Sequence, residues 1–528
     1  MLTQQQRLAG LSPDMAQRAT AIAQALEQGR VDAAERGVIA ALALAPKHPE
    51  ILRLLGIIQL ARRRSDEAID TLVQSLKLRP QDALTLHILA GAYEAQMDLS
   101  NALAAARRAC EMGPELVACW LNYGRLLFVN GHLDQAIAIL KHTVALAPQH
   151  VHARTMLTSV LNIDGRPQEA VAHYRGILAQ NPANGQAWWG LATLQPMQLD
   201  AMDIAQMRRA LQRTDPGEND RISIGYALAH ALEHAGDYAQ AFATLQEANA
   251  RARRLHPWNG DEFTARVESV HQAFAGTYAN AGNDQGQEVI FIASLPRSGS
   301  TLSEQILASH SQVEGTTELP DVLQVIMDES DRVRQPFPQW VATHTAEQWR
   351  ALGQRYLERT ARWRKERPRF TDKMPGNWLY TGAILAMLPR ARILVARRDP
   401  METCFGCYRY QFSRQDFTHD FQSLAEVWHG FDRLCKFWVQ RYPDRVREQV
   451  YEELQADPEA QIRELLAFCG LPFEQACLNF HATERRVTTP SASQVRQPMR
   501  RDTARAAKYG ALLDPLRTAL GLPPFQPQ

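Results

Sequence analysis

Five prolines, Pro46, Pro80, Pro114, Pro148 and Pro182, recur at an interval of 34 residues, and this period constrains the fold more than any other feature of the chain. Each closes an apolar run: LALAP, LKLRP, CEMGP, VALAP and LAQNP. Proline stops one helix and is tolerated in the first turn of the next, so the spacing predicts helix pairs punctuated by proline. Ala34, Ala68, Ala102, Ala136 and Ala170 each stand twelve residues before the matching proline. A small side chain there lets two antiparallel helices approach closely. Gly29, Gly131 and Gly165 precede three of these alanines by five residues, where a turn between helices calls for a permissive backbone. Gly56, Ala90 and Gly124 fill a second small position ten residues after a proline, and Thr158 breaks that series.

A helix-turn-helix unit of this length closely resembles the tetratricopeptide repeat. Five regular repeats cover roughly residues 15–196, and a further helical pair around 222–252 lies off the register, beyond an irregular stretch at 197–221. Stacked repeats offer a concave surface, which suits either a protein or peptide partner or self-association. No residue in the array reads as catalytic.

With 528 residues the chain is too long for one core. Its formal net charge is +1, from 58 basic and 57 acidic residues, which gives no global reason to expect nucleic acid or an anionic membrane as partner. The first residues lack a basic start and an apolar core, and no run approaches the ~18 apolar residues of a membrane helix. Seven cysteines without a disulfide-framework spacing read as reduced thiols, so the expected location is cytoplasmic. The lone C-x-x-C at Cys404 and Cys407 has no second pair or nearby histidines, and no metal site is expected.

After a polar linker the pattern changes. Val289 to Ala293 is a short β-branched run that reads as a buried parallel strand, followed by Leu295-Pro296-Arg297-Ser298-Gly299-Ser300-Thr301 and an apolar-periodic helix from Leu302 to about His310. Strand, tight loop and helix aim free backbone N–H groups and a positive helix end at an anion. Ser298, Ser300 and Thr301 add hydroxyls, Gly299 permits close approach, and Arg297 adds charge. The triphosphatase loop G-x-x-x-x-G-K-[ST] is absent, since there is no Gly-Lys.

P-R-S-G-S-T-L resembles the 5′-phosphosulfate loop of sulfotransferases, which use 3′-phosphoadenosine 5′-phosphosulfate without a metal. The resemblance extends over about 288–521 and is to the tyrosylprotein-sulfotransferase-like branch, particularly bacterial proteins that join such repeats to the catalytic domain. It implies that Glu318, 21 residues after Arg297, is the general base. It implies that Lys373, in Phe370-Thr371-Asp372-Lys373-Met374-Pro375, contacts the transferring sulfuryl group and its bridging oxygen. Arg398, in Arg397-Arg398-Asp399-Pro400, corresponds to the arginine that binds the 3′-phosphate, with Ser491 and Arg505 further donor contacts. Two positions depart from the family pattern: Gly406 stands where a phosphate-binding serine is usual, and Ala506 where an Arg-Trp pair is usual. Basic residues that read acidic peptides in the family are replaced by Leu319-Pro320-Asp321-Val322.

The expectation is therefore an all-α repeat solenoid followed by an α/β, P-loop-like sulfotransferase domain with a central parallel sheet. The boundaries read as 1–255 for the array, 256–287 for a helical or polar linker, and 288–528 for the catalytic domain. The expected activity is sulfuryl transfer to a hydroxyl acceptor, with a protein or peptide tyrosine among the candidates. The alternative is a repeat scaffold whose nucleotide domain is catalytically degenerate, and a kinase or nucleotidase is disfavoured by the missing Gly-Lys.

Overall fold

The computed structural model describes residues 3–194, 199–282, 285–364, 366–412, 415–483, 495–499 and 504–526. It divides into two compact units, Met1–Ile177 and Leu178–Gln528.

The first unit is a run of antiparallel helix pairs. Pro49–Ala61 pairs with Ser65–Leu78, Ala83–Ala95 with Leu99–Met112, and Val117–Val129 with Leu133–Leu146. The small positions of the period sit where the helices cross. Ala34, Ala68, Ala102, Ala136 and Ala170 are fully buried. A Cβ on Gly56 would lie 2.6 Å from Leu72 Cγ, and one on Gly124 would lie 2.8 Å from Leu140 Cδ2. Larger side chains at these points would force the helices apart.

Each recurrent proline lies two residues beyond a helix end, and the following helix starts three residues later, as Leu78, Pro80 and Ala83 illustrate. The prolines thus stop one helix as expected, but they lie before the first turn of the next and not within it. The turn inside each pair holds one residue with left-handed backbone. Gly29, Gly131 and Gly165 fill it in three repeats, with φ of 70°, 82° and 78°, and Arg63 (φ 60°) and Met97 (φ 63°) fill it in the other two. A side chain in that conformation costs roughly 1–2 kcal/mol, which the packed helices on either side offset.

The second unit opens with helices Gly185–Thr193, Ala201–Gln212, Glu218–His234, Tyr238–Leu255 and Gly260–Ala275. Five parallel strands follow: β1 (Val289–Ser294), β2 (Val313–Glu314), β3 (Arg369–Lys373), β4 (Arg392–Arg397) and β5 (Val446–Val450). Their order across the sheet is β2-β3-β1-β4-β5. All six β1 residues are buried, as its unbroken apolar run requires of a central strand covered on both faces. Ile290 and Ile292 face a core with Ile306, Leu394, Ile462 and Leu466, while Phe291, of opposite pleat, packs on Tyr356.

The chain builds β2 and β3 on one side of β1 and then β4 and β5 on the other. The strand order reverses at β1, and a crevice at the carboxyl ends of the strands is the expected ligand position in such sheets. Among the described residues no helix is long and apolar enough to cross a membrane.

Candidate active site

The loop after β1 lies at this reversal point. Arg297 (φ 67°) and Gly299 (φ 86°) both take left-handed backbone, which turns the chain sharply into the Ser300–Ala308 helix. Ser298, Ser300 and Thr301 are buried. Ser294 Oγ, at the end of β1, is buried without a hydrogen-bond partner, and such an atom is costly unless a ligand or water satisfies it.

Two aromatic rings support the loop. A Cβ on Gly299 would lie 2.7 Å from Tyr451 Cδ2, so glycine lets the loop rest on that ring. The guanidinium of Arg297 lies over Tyr410, 5.5 Å from its centroid. Burial pulls Arg297 below the usual arginine value, and the like charges of Arg409 and Arg398 add to the effect. Arg297 precedes the N-terminus of the Ser300–Ala308 helix and feels the charges of Arg409 and Arg398, an arrangement that favours an anion.

Gly406 belongs to the same contact. A Cβ there would lie 3.2 Å from Arg297 Cβ, so the departure from the family pattern leaves room for Arg297. The neighbouring Cys407 donates its thiol hydrogen to the Pro296 carbonyl at 3.3 Å. Burial pushes the Cys407 thiol up to about 12, as expected of a packing residue and not of a nucleophile.

Arg398 follows the end of β4, with its guanidinium over the Tyr451 ring at 4.8 Å. Its Nη2 donates to Glu402 Oε2 at 3.3 Å. Glu402 also accepts the backbone N–H groups of Arg505 (2.9 Å) and Ala506 (2.7 Å), which fixes the C-terminal segment beside Arg398. The Arg505 side chain turns to Glu233, at 3.0 Å from Oε1. Glu233 is buried and also receives Arg409 at 2.6 Å and the Tyr509 hydroxyl at 2.8 Å. Ser491 lies outside the described residues.

Glu318 and Lys373, 55 residues apart, meet with Nζ 2.5 Å from Oε1. Lys373 is the last residue of β3 and is only 1 % exposed, whereas the Glu318 side chain is 44 % exposed. A lysine ending a buried strand differs from one in a surface ion pair: its side chain is enclosed, and its partner is partly exposed. The segment carrying Glu318 is tied to β3 through Thr316, whose N–H donates to Thr371 Oγ1 at 3.1 Å. Thr371 Oγ1 in turn donates to the buried Glu304 at 3.1 Å. Beside Lys373, Asp372 accepts from the Tyr356 hydroxyl at 2.7 Å and the Asn377 amide at 3.3 Å. Burial, with Asp321 and Glu304 nearby, raises Asp372 well above the usual carboxylate range. Asp372 is thus held by partners of its own, and the carboxylate that Lys373 meets is Glu318.

The loop, Lys373, Glu318, Arg398 and the backbone of Arg505 are each attached to the carboxyl edge of the sheet or packed against a residue that is. Tyr451 was not singled out in the sequence, although its place directly after β5 is the signal that puts it on this edge. Tyr410, Glu402 and Glu233 were not singled out, and their roles come from contacts between distant segments.

Residues 289–475 match the model of the sulfotransferase family, and residues 24–83, 93–160 and 164–195 match tetratricopeptide repeat models. An uncharacterized protein of Aquifex aeolicus is 28% identical over 401 residues, covering 72% of this chain and 52% of that protein. A protein-tyrosine sulfotransferase of Drosophila melanogaster is 25% identical over 197 residues, covering 36% of this chain and 40% of its own length. The chain thus spans about half or less of these two curated relatives. A solved tetratricopeptide repeat protein from Parabacteroides merdae is similar over 46% of this chain and 94% of its own, at 16% identity and a TM-score of 0.33. The chain carries a sulfotransferase-family domain behind a tetratricopeptide-repeat array.

Proposed function

We propose that the protein transfers a sulfuryl group from 3′-phosphoadenosine 5′-phosphosulfate to an acceptor hydroxyl. The observation that carries this reading is the meeting of Glu318 with the buried Lys373 at the sheet edge that also bears the loop Arg297–Thr301. Buried loop hydroxyls, the orphaned Ser294 Oγ and the arginine grouping fit a polyanionic donor. Arg297, Ser298, Gly299, Ser300 and Thr301 would hold its 5′-phosphosulfate, and Arg398 its 3′-phosphate, with Tyr451 as a platform under Arg398. Ser491 and Arg505 are further proposed donor contacts, Arg505 through its backbone position and the side chain held by Glu233. No metal is required by this arrangement of cations.

Glu318 accepts the acceptor's hydroxyl proton while the acceptor oxygen attacks sulfur. The bond from sulfur to the phosphate oxygen breaks, and Lys373 donates a hydrogen bond to that oxygen as its charge grows. A fixed ammonium stabilises that charge more in the transition state than in the ground state. The products are a sulfate ester and adenosine 3′,5′-bisphosphate. The repeats are proposed to bind a protein partner or a second copy of the chain, and a protein or peptide tyrosine is one acceptor they would present.

The second reading is a repeat scaffold whose nucleotide domain binds donor without transferring it, prompted by the departures from the family pattern at Gly406 and Ala506. Incubation with sulfur-35-labelled donor and a panel of hydroxyl acceptors separates the two. Label appearing in an acceptor with wild-type protein but not with Lys373→Met supports transfer. Retained donor across the whole panel, with no labelled acceptor, supports the binding protein.

A further inference from the structure

Resting on the donor assignment above, we propose that Glu402 is a resident anion in the pocket for the donor's 3′-phosphate. Its carboxylate takes the hydrogen bonds that the phosphate would take, so the two compete, and Glu402 sets how strongly a 3′-phosphorylated nucleotide is preferred. Glu402 lies in the first turn of the Pro400–Tyr408 helix, four residues after Arg398 and four before Gly406. Residues four apart share one face of a helix. Gly406 faces the loop after β1, where a Cβ would lie 3.2 Å from Arg297 Cβ. Glu402 therefore stands on the face that looks toward the loop, one turn before the position where the family pattern has a phosphate-binding hydroxyl.

The bonds that Glu402 makes are those of an anion site. Its Oε1 accepts the N–H groups of Arg505 at 2.9 Å and Ala506 at 2.7 Å. Its Oε2 shares the Arg505 N–H at 3.0 Å and accepts from Arg398 Nη2 at 3.3 Å. Two successive backbone N–H groups that converge on one carboxylate form a nest, and the guanidinium beside it adds charge. The same set of donors suits a phosphate. The side chains of Arg398 and Glu402 are only 16 % and 11 % exposed, so water screens their charges little. A second carboxylate, Glu452, has a different place. It lies 4.0 Å from Arg398 Nε, is 44 % exposed, and accepts the Asp399 N–H at 3.1 Å. A phosphate monoester carries about −1.5 to −2 charges at neutral pH, and it cannot share the nest with a carboxylate. The Glu402 N–H donates to Asp399 Oδ1 at 3.0 Å, which holds the backbone in place, so the side chain is the part that yields.

The test is calorimetric titration of the full chain, as wild type, Glu402→Gln and Glu402→Ala, with adenosine 3′,5′-bisphosphate and with 5′-AMP. The glutamine keeps an oxygen for the Arg505 and Ala506 N–H groups and removes the charge. It is expected to bind the bisphosphate about tenfold more tightly than the wild type, because a like charge beside a bound anion is strongly unfavourable. Its affinity for 5′-AMP, which has no 3′-phosphate, should change by less than about twofold. The ratio of the two affinities is the readout, since a general loosening of the domain weakens both nucleotides and leaves their ratio unchanged. A ratio raised in either variant supports the proposal. A ratio at or below the wild-type value in both variants overturns it and makes Glu402 a strut for the C-terminal segment, with the donor assignment intact if the wild type still binds the bisphosphate. Failure of all three proteins to bind the bisphosphate would remove the donor assignment itself.

Discussion

Glu318→Gln and Lys373→Met, alone and together, probe the pair on which the reaction depends. The glutamine keeps the shape of Glu318 and removes its basicity. A positioned general base is worth roughly 10²–10⁴-fold, or about 2.7–5.5 kcal/mol of barrier, so turnover should fall by that factor with donor binding little changed. The effect on stability follows from the unequal exposure of the two side chains, 1 % for Lys373 and 44 % for Glu318. Removing one partner of a fully buried pair costs about 3–5 kcal/mol, and an exposed pair is worth about 0–1. With one partner half in solvent and an amide oxygen still able to accept, Glu318→Gln should cost about 1–2 kcal/mol. Because both residues serve one transition state, the double variant should be only slightly slower than the slower single variant. Single-turnover transfer of labelled sulfuryl group measures the rates, and urea unfolding measures stability. Turnover of Glu318→Gln within threefold of wild type, or multiplicative losses in the double variant, would refute the assigned roles.

Three further outcomes follow from the same contacts. Gly406→Ala should weaken binding of adenosine 3′,5′-bisphosphate several-fold, because its Cβ would lie 3.2 Å from Arg297 Cβ and the arginine must shift; calorimetry reads this directly. Glu233→Gln should destabilise the second unit by about 2 kcal/mol, since a buried carboxylate that receives Arg409, Arg505 and Tyr509 loses its charge; urea unfolding is the check. Asp372 predicts a pH effect. Its folded pKa lies well above 3.8, so below that value both states are protonated, and above it the unfolded chain releases a proton while the folded one does not. Stability is thereby lost as pH rises, at up to about 1.4 kcal/mol per unit. The stability of Asp372→Asn relative to wild type should therefore improve between pH 4 and pH 7, and a pH-independent difference would contradict the assignment.

The repeat array was legible because its information is periodic and local. The alanines at 34-residue spacing became helix crossings, and β1 announced itself as an apolar run of β-branched residues. Arg63 and Met97 were not legible as turn residues, since packing on both sides imposes a backbone that neither side chain prefers. β3 was also hidden: its sequence, RFTDK, is too polar to read as a strand, yet Thr371, Asp372 and Lys373 are all buried with partners supplied by distant segments. The loop, Glu318, Lys373 and Arg398 could be named from motif and spacing. The pairing of Arg398 with Glu402, the support of Gly299 by Tyr451, and the capture of Arg505 by Glu233 join residues up to 272 apart, and no local pattern encodes them.

The most direct test of the account is calorimetric titration of the purified protein, without metal, with adenosine 3′,5′-bisphosphate and with ATP and 5′-AMP as controls. The account predicts selective binding of the bisphosphate that collapses in Arg398→Ala. Absence of binding, or equal binding of all three nucleotides, would contradict the donor site and with it the proposed reaction.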